Sequence, residues 1–341
     1  MYKVSVIIPI YNSSSYIEKC VESLMHQTLS EIEFIFIDDA STDNSLEILE
    51  CIVKKYPNRH SKIIRFDKNG GISNARNIGL SNATGEYITH CDSDDWVAPE
   101  IYEELYTIAS EHNADIAACN FINVYEHSSK PYNQPYSTNM EDNIKLLLNG
   151  NIFPSLWSSI VKRDLITEHV LKFPIDLNMG EDLLFNVQAY LYANKIVHTS
   201  TPLYYYRHSE NSVCVRRSYI SIKSDITIAH LIENKLIEHG VLKKYASEIE
   251  FRKFYSKLPL INDMNDFNAY QSWLTIYPET NKHIWEYKQI NWKQKLRLWL
   301  AANGMLPLAK LFQLSLIKQH KMRHSLCAMI SRFAHFIQRL L

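Results

Sequence analysis

The feature that most constrains this chain is the regular alternation of strand and helix patterns over residues 3–121. The stretch "KVSVIIPI" at 3–10 is β-branched and almost continuously apolar, which is typical of a strand buried on both faces of a parallel sheet. A helix pattern begins near Ser14, whose hydroxyl suits an N-cap, and its apolar residues recur at helical spacing. The chain therefore opens with a strand followed by a helix.

The same alternation continues along the chain. Further strands are predicted at 33–39, 62–66, 85–91 and 114–121, and helices between them at 41–56, 72–83 and 99–112. Strands separated by helices of about 10 to 15 residues indicate βαβ units. The predicted fold class is α/β, with a mainly parallel sheet flanked by helices on both faces.

Composition is that of an ordinary globular protein, with 46% hydrophobic and 21% charged residues among 341. This length favours one large domain and a smaller appendage. The formal net charge of −1 hides an asymmetry, because residues 281–341 hold 11 Lys and Arg against one acid, Glu286. No nucleic-acid reader motif accompanies these basic residues, so nucleic acid is not expected as a partner.

The cysteines and the apolar runs bear on location. Six cysteines are widely spaced without a CxxC pair, which argues against a zinc knuckle and against a disulfide scaffold. The N-terminal apolar run ends at Pro9 and is too short for a signal-peptide core. No apolar stretch approaches the roughly 18 residues of a membrane-spanning helix. A cytoplasmic protein is expected.

Polar residues collect where the predicted strands end. In open α/β sheets, ligands bind outside the carboxyl ends of the strands. The residues at these ends are Asn12 after the first strand, Asp38 and Asp39 after the second, Asn69 and Gly70 after the third, and Asp92, Asp94 and Asp95 after the fourth. A ligand site is therefore predicted at this edge of the sheet.

The cluster "DSDD" has two interpretations of equal weight when it is taken alone. Like charges this close raise one another's pKa unless a positive group joins them, and Mg²⁺ or Mn²⁺ is held by one or two carboxylates plus substrate phosphates. Alternatively, the aspartates form turns and caps before a helix that begins at Pro99.

The acidic pair Asp38 and Asp39 allows three interpretations. A phosphate-accepting receiver site needs a further Asp after the third strand, where "RFDKNGG" offers no clear match. A dinucleotide site needs a GxGxxG after the first strand, where the chain reads "PIYNSSS". The third interpretation is a carboxylate that accepts a hydrogen bond from a nucleobase.

The motifs taken together resemble a known family. In order, they are "VSVIIPIYN", "SLMHQT", "FIFIDDASTD", "NGGISNARNIGL", "GEYITHCDSDDW" and "GEDLLF". Their order and spacing over about residues 1–215 resemble those of the family 2 glycosyltransferases of the GT-A fold. The resemblance implies a GT-A catalytic domain at 1–217. Residues 218–341 carry helical patterns instead, and we expect them to form a helical C-terminal region that associates with a membrane or a partner.

The resemblance also implies a reaction. A hexose or N-acetylhexosamine moves, with inversion, from a UDP-sugar to a hydroxyl of a glycan acceptor, with Mn²⁺ or Mg²⁺, in bacterial surface polysaccharide synthesis. A sugar-phosphate nucleotidyltransferase is a rival, but it needs a glycine-rich loop with Arg after the first strand. A non-catalytic nucleotide-sugar binding module is another, but it would have lost one of the acidic motifs, and both are present.

Roles for individual residues follow from the resemblance. Asp182 is implied as the general base, and Glu181 as the group that orients the acceptor or the base; a carboxylate pair that complements the helix dipole is the ordinary alternative. The implied metal ligands are Asp92 and Asp94, with Asp95 a further ligand or a partner behind them. The implied nucleotide-binding residues are Pro9, Tyr11, Asp39, Asn69, Arg76, Asp92, Arg207, His208 and Ser212. For Arg76, the alternative is a structural ion pair with the acidic cluster, which is compatible with phosphate binding.

Two departures from the family pattern and the C-terminal tail complete the predictions. Ser158 and Ser159 stand where many relatives carry an Asn-Lys pair, and Ala40 replaces a frequent glycine at an expected small penalty.

The tail "HSLCAMISRFAHFIQRLL" places apolar residues on one helical face with basic residues elsewhere. Such a helix either lies in a membrane interface or packs on the protein body. The first alternative would hold the protein at the cytoplasmic face of the inner membrane, beside a lipid-linked acceptor.

Overall fold

The structure is a computed structural model that describes residues 1–177, 179–208 and 218–315. Within these residues, nine strands form one mixed sheet. The strands are β1 (Val4–Ile10), β2 (Ile32–Asp38), β3 (His60–Arg65), β4 (Tyr87–His90), β5 (Trp96–Val97), β6 (Ile116–Tyr125), β7 (Ser128–Tyr132), β8 (Ser159–Lys162) and β9 (Ile196–Arg207). Their order in the sheet is β3-β2-β1-β4-β8-β6-β9-β5, with β7 paired to β6.

Helices connect and cover the strands. They are α1 (Ile17–Met25), α2 (Ser45–Lys55), α3 (Ile72–Asn82), α4 (Ile101–Glu111), α5 (Met140–Leu148), α6 (Arg163–Glu168), α7 (Glu181–Tyr192), α8 (Tyr219–Glu238), α9 (Ala246–Lys257), α10 (Phe267–Thr275) and α11 (Trp292–Ala302). Short 3-10 helices lie at Leu242–Tyr245, Leu258–Ile261 and Pro278–His283. The alternation predicted from the sequence is thus present, although α1 begins at Ile17, later than the predicted Ser14, with Tyr16 as N-cap.

The sheet has a parallel half and a mixed half. β3, β2, β1 and β4 run parallel to one another, whereas β8 is antiparallel to both of its neighbours, β4 and β6. The prediction of an α/β fold is confirmed. The prediction of a mainly parallel sheet did not include the mixed half, in which β8 is antiparallel to its neighbours. Since β4 and β6 are each antiparallel to β8, they run parallel to each other, and β9 runs parallel to β6. The carboxyl ends of β1, β2, β4, β6 and β9 therefore meet at one edge, which we call the carboxyl edge.

β1 is buried on both faces, as its sequence predicts. Val6 and Ile8 belong to the core beneath α1, α2 and α4, while Ile7 belongs to the core that includes α5 and α7. Gly79 of α3 lies so close to β1 that an added Cβ would come within 2.3 Å of Ile7 Cγ2. The glycine is required because the helix packs directly on the strand.

The chain divides into two compact units, and the boundary falls at Arg252 and Lys253, within α9. In the second unit, the buried Lys257 donates hydrogen bonds from Nζ to the carbonyls of Trp273, Ile276 and Tyr277 at 2.7–3.1 Å, which holds the end of α10. Among the residues described, no helix is both long and apolar enough to cross a bilayer. The predicted amphipathic tail helix lies outside the described residues, and the functional division at 217 stays a prediction.

Candidate active site

The loop after β1 joins the loops after β2 and β4 at the carboxyl edge. The side chain of Asn12 accepts hydrogen bonds from the backbone N–H of Thr42 at 2.9 Å and from its hydroxyl at 3.2 Å. Ser13 contacts Ser93 through their hydroxyls at 2.7 Å. Asn12 adopts a left-handed backbone conformation with φ 49°, which asparagine tolerates better than most residues. The strand ends that carry the predicted ligand residues are therefore fixed to one another.

Asp39 organises the loop after β3. It is buried, and its two carboxylate oxygens accept the backbone N–H groups of Gly70 at 2.6 Å and Gly71 at 2.9 Å. Asn69 donates to the Asp39 carbonyl at 3.2 Å. Tyr11 directly follows β1 in the chain, and its side chain is half exposed. Asp39 therefore stabilises the loop after β3. Each of its carboxylate oxygens keeps a second lone pair, which could accept a hydrogen bond from a nucleobase.

The other two predicted features near this loop differ in their surroundings. Pro9 is buried within β1, where it pairs with Ile37. Ala40 has φ 57°, the left-handed region where an L-residue with a Cβ is strained by about 1–2 kcal/mol. The penalty at Ala40 is therefore larger than the sequence analysis expected.

Arg76 connects the two acidic motifs. From α3, its Nη1 donates to Glu181 Oε1 at 2.6 Å, and its Nη2 lies 3.4 Å from Asp92 Oδ1. The guanidinium is buried and lies over the ring of Phe173 at 5.6 Å. The ion pair predicted as the structural role of Arg76 is present. It brings together residues that are 105 positions apart in the chain.

Asp182 lies beside this bridge at the start of α7. Gly180, with φ 83°, forms the left-handed turn that leads into the helix, and Asp182 Oδ1 accepts the backbone N–H of Leu183 at 2.7 Å. Burial, followed by the charge of Glu181, raises the pKa of Asp182 to about 7, against the lowering effect of Arg76. A carboxylate with a pKa near neutrality is suited to accept a proton from a hydroxyl at physiological pH.

The three aspartates of the loop after β4 have different surroundings, and Asp95 is the most enclosed. Its Oδ1 accepts the backbone N–H of Arg207 at 2.7 Å, and its Oδ2 accepts the hydroxyl of Tyr204 at 2.9 Å. That hydroxyl in turn accepts the backbone N–H of Asp92 at 3.2 Å. Burial, then the charges of Asp94 and Asp92, raise the pKa of Asp95 well above its ordinary value. Asp95 thus holds the loop to β9.

Asp94 is more exposed and pairs with Arg207. The guanidinium of Arg207 donates from Nη2 to Asp94 Oδ2 at 2.7 Å and from Nε to the Asp94 carbonyl at 3.0 Å. It also lies over the ring of Tyr16 at 3.7 Å. Burial raises the pKa of Asp92, and Arg76 opposes that effect.

The donor set of this loop suits a hard cation that takes part of its coordination from a substrate. The described residues donate no hydrogen bond to Oδ2 of Asp92 or to Oδ1 of Asp94, whereas both oxygens of Asp95 have partners. Throughout the described ranges, no three His, Cys, Asp or Glu side chains form a group that could hold a metal by themselves. Two carboxylates plus phosphate oxygens is the arrangement by which Mg²⁺ is usually bound.

The other predicted nucleotide-binding residues, His208 and Ser212, come after β9 in the chain. His208 continues from β9, with its Nε2 2.7 Å from Asn123 Oδ1, and its ring stacks on Tyr125. Ser212 lies outside the described residues. Ser158 is buried, and its hydroxyl contacts that of Ser155 at 2.6 Å and accepts from Gln134 Nε2 at 3.1 Å, so this departure from the family pattern is part of a buried hydrogen-bond cluster.

Sequence reasoning missed two supports of the site. Tyr204 connects Asp92 and Asp95, yet nothing in the run "YYYRH" distinguishes this tyrosine from its neighbours. Asn77 and the backbone of Phe173 exchange two hydrogen bonds of 2.9 Å, which fixes the ring beneath Arg76. Both contacts join distant segments and leave no local signal in the sequence.

Comparisons with known proteins identify the family. The family model "Glycosyl transferase family 2" matches residues 5–169. A cholesterol galactosyltransferase of Borreliella burgdorferi is 30% identical over 314 residues, which cover 84% of this chain and 85% of that protein. Glycosyltransferase GlyA of Streptococcus pneumoniae is 34% identical over 224 residues, 62% of this chain and 31% of that protein.

A solved structure extends the similarity over most of the fold. The crystal structure of residues 1–349 of TarS from S. aureus, in complex with UDP-GlcNAc, is 25% identical, with a TM-score of 0.65. The match covers 93% of this chain and 92% of that structure. Full-length TarS of Staphylococcus aureus is named a poly(ribitol-phosphate) β-N-acetylglucosaminyltransferase, and the sequence match to this chain spans 43% of its length. The family model, the similarity over most of a relative and the shared fold lead to one conclusion: the chain belongs to glycosyl transferase family 2, and it is a glycosyltransferase.

Proposed function

We propose that the protein transfers a hexose or N-acetylhexosamine from a UDP-sugar to a hydroxyl of a glycan acceptor, with inversion at the anomeric carbon. The observation that carries this proposal is the Arg76 bridge, since it joins Glu181 beside the candidate base to Asp92 in the candidate donor loop. The candidate base and the candidate donor loop would thus belong to one site. The bound UDP-GlcNAc and UDP of TarS support a UDP-sugar as donor.

The donor would bind across the loops at the carboxyl edge. Tyr11 offers an exposed ring face for the base, and Asp39 retains acceptor capacity for a base N–H. Asn69, Pro9, Arg207, His208 and Ser212 complete the proposed nucleotide site. Arg76 and Arg207 place two positive charges among the carboxylates on the phosphate side, which favours a diphosphate there.

Asp92 and Asp94 would hold Mn²⁺ or Mg²⁺, because each has a carboxylate oxygen that the described residues leave without a hydrogen bond. When bound, such an ion neutralises the charge that develops on a departing diphosphate. Asp95, which the resemblance implied as a further ligand or as a partner behind the ligands, would take the second role and hold the loop, because both of its oxygens accept hydrogen bonds.

Asp182 would accept the proton of the acceptor hydroxyl as its oxygen attacks the anomeric carbon. The new C–O bond forms as the bond to the diphosphate oxygen breaks, and the electron pair leaves with the diphosphate. One such displacement inverts the anomeric configuration. Glu181 would stay anchored to Arg76 and keep the start of α7 in place.

Transfer assays with UDP-GlcNAc, UDP-glucose and UDP-galactose would test this proposal, with the anomeric configuration of the product read by NMR. Asp182→Asn should abolish transfer and leave UDP binding nearly intact. Asp176→Asn is the matched control, because Asp176 lies outside the helices and strands and is exposed. Equal loss of transfer and UDP binding in Asp182→Asn would remove the general-base assignment.

We propose in addition that the basic C-terminal region attaches the protein to the cytoplasmic face of the inner membrane, near a lipid-linked acceptor in surface polysaccharide synthesis. The sequence of residues 324–341 supports this, because its apolar residues recur at the spacing of one helical face and its basic residues fall elsewhere. The full chain should sediment with vesicles of anionic phospholipid, and a chain without residues 320–341 should not. Equal sedimentation of the two forms would contradict the proposal that the tail attaches the protein to a membrane.

A further inference from the structure

Aromatic rings follow one another along β6 and β9. Trp157 stacks on Tyr204 with ring centroids 4.1 Å apart and on Tyr206 with centroids 5.4 Å apart. The ring of Tyr206 contacts that of His208 at 4.8 Å, and His208 stacks on Tyr125 at 4.4 Å. These five residues are called the aromatic row below.

The aromatic row begins at the acidic loop. The hydroxyl of Tyr204 donates to Asp95 and accepts from the backbone of Asp92. The row then proceeds toward the ends of β6 and β9, which lie at the carboxyl edge together with the end of β4. One end of the row is therefore in contact with the candidate donor loop, and the other lies further along the same edge.

Exposure increases along the row. Trp157 and Tyr204 are buried, Tyr206 and His208 are half-buried, and Tyr125 is 42% exposed. Phe153 is also half-buried and packs against Tyr206 at 5.8 Å. The inner rings thus serve the core, and the outer rings offer ring surface to a ligand at the carboxyl edge.

The outer part of the row mixes ring faces with hydrogen-bonding groups. Asn123 pairs with Tyr206 in the register of β6 and β9, and its side chain fixes the imidazole of His208 at 2.7 Å. Residues two apart on a strand face the same side, so Asn123, Tyr125, Tyr206 and His208 share one face. This set contains no aliphatic side chain, although a lipid tail or an amphipathic helix is typically received by aliphatic groups.

A pyranose ring matches these surroundings, because its C–H groups form an apolar face and its hydroxyls lie around the rim. Aromatic side chains supply rigid flat contact area, and Tyr and His add polar groups at the ring edge. We propose that the outer tyrosines of the aromatic row, Tyr125 and Tyr206, together with Phe153, form a subsite that binds the sugar rings of the acceptor glycan. This inference rests on the proposed function and names the surface that receives its acceptor.

The test uses saturation-transfer NMR with chitotetraose and cellotetraose on the full chain, in the presence of saturating UDP and Mn²⁺. Tyr125→Ala and Phe153→Ala should each weaken tetrasaccharide binding by about 2- to 10-fold, the value of one aromatic contact. Tyr125→Phe, which keeps the ring, should bind like the unmodified protein. UDP affinity should be unchanged in all three variants.

A matched control lies at the opposite edge of the same sheet. Tyr2 precedes β1 and contacts His60 at the start of β3, with ring centroids 4.9 Å apart. Tyr2→Ala removes an aromatic partner of a histidine, as Tyr125→Ala does, but at the amino ends of the strands. It should leave tetrasaccharide binding unchanged.

The outcomes separate this inference from the proposed function. If UDP binds but neither tetrasaccharide does, or if Tyr125→Ala and Phe153→Ala bind both as tightly as the unmodified protein, the subsite is wrong and the donor assignment stands. Binding of poly(ribitol phosphate) in place of either tetrasaccharide would also overturn the sugar-ring subsite. Failure to bind UDP at all would overturn the proposed function instead.

Discussion

Arg76 and Glu181 form an ion pair of 2.6 Å between α3 and α7, and both side chains are almost completely buried. The same guanidinium reaches Asp92, 3.4 Å away in the loop after β4. A single arginine therefore sets the position of the helix that carries the candidate base relative to the loop that carries the candidate metal ligands.

The Arg76 bridge should be essential for stability as well as for activity. Arg76→Met leaves two carboxylates uncompensated in a buried site, and the loss of one partner from such a pair destabilises by about 3–5 kcal/mol. Urea denaturation would measure this loss in the free energy of unfolding. Arg163→Met is the control, because Arg163 pairs with Asp164 only at 4.0 Å on the surface. A similar small effect of both substitutions would contradict the bridge.

Asp182 should give the reaction its pH dependence. Its pKa of about 7 means that the base is protonated below neutrality, so the rate should rise with pH through about 7. Asp182→Asn should lower kcat by about 10²- to 10⁴-fold and remove this rise. A pH–rate profile that stays flat between pH 5 and 8 in the unmodified enzyme would refute the assignment.

The same carboxyl should make stability fall as pH rises. Its pKa is raised from the ordinary 3.8 to about 7, so between these values the folded protein binds a proton that the unfolded chain has released. The resulting stabilisation is fully present below about pH 4 and lost as pH passes 7. The difference in unfolding free energy between Asp182→Asn and the unmodified protein should therefore shift in favour of the variant from pH 5 to pH 8, as denaturation curves at both values would show.

We expect the neighbouring residues Asp94 and Asp95 to differ in role, with Asp94 as a metal ligand and Asp95 as a residue that stabilises the loop. Asp95→Ala leaves the Tyr204 hydroxyl and the Arg207 N–H without their acceptor, and each buried group left in this way costs about 1–3 kcal/mol. Asp94→Ala removes a more exposed ion pair, which contributes about 0–1 kcal/mol. Thermal unfolding should show the larger loss for Asp95→Ala. The reverse order would contradict the roles given to the two residues.

Ala40 offers a site where the protein can be stabilised. Its φ of 57° is unfavourable for a residue with a Cβ, so Ala40→Gly should raise the free energy of unfolding by about 1 kcal/mol. Ala83 has an ordinary φ of −76°, and Ala83→Gly should lower it by about 0.5–1 kcal/mol. Chemical denaturation of the two variants would test the prediction, and two changes of the same sign would contradict it.

Local patterns were enough to predict the first half of the sheet. β1 is an almost continuous apolar run, so its strand type and its burial on both faces could be predicted from 3–10, and the polar residues after β1 and β2 indicated the edge that carries the site. The two-residue strand β5 and the antiparallel β8 carry no such pattern. They form because distant segments pair with them, as Trp96 does with Tyr205.

The same distinction applies to the site. The motifs identified the carboxylates, but the different surroundings of Asp94 and Asp95 depend on Tyr204 and Arg207, more than 100 residues later. Adjacent positions in one motif thus differ in function for reasons that only the folded chain contains. The Arg76 to Glu181 contact is of the same kind.

Calorimetric titration with UDP, GDP and CDP, each with and without Mn²⁺, tests the central claim most directly. The account predicts that UDP binds selectively, that Mn²⁺ strengthens its binding, and that Asp94→Ala removes this strengthening. If none of the three nucleotides binds, or if UDP binds equally well without Mn²⁺ and in Asp94→Ala, the assignment of a metal-assisted UDP-sugar site to the loops after β1, β2 and β4 is contradicted.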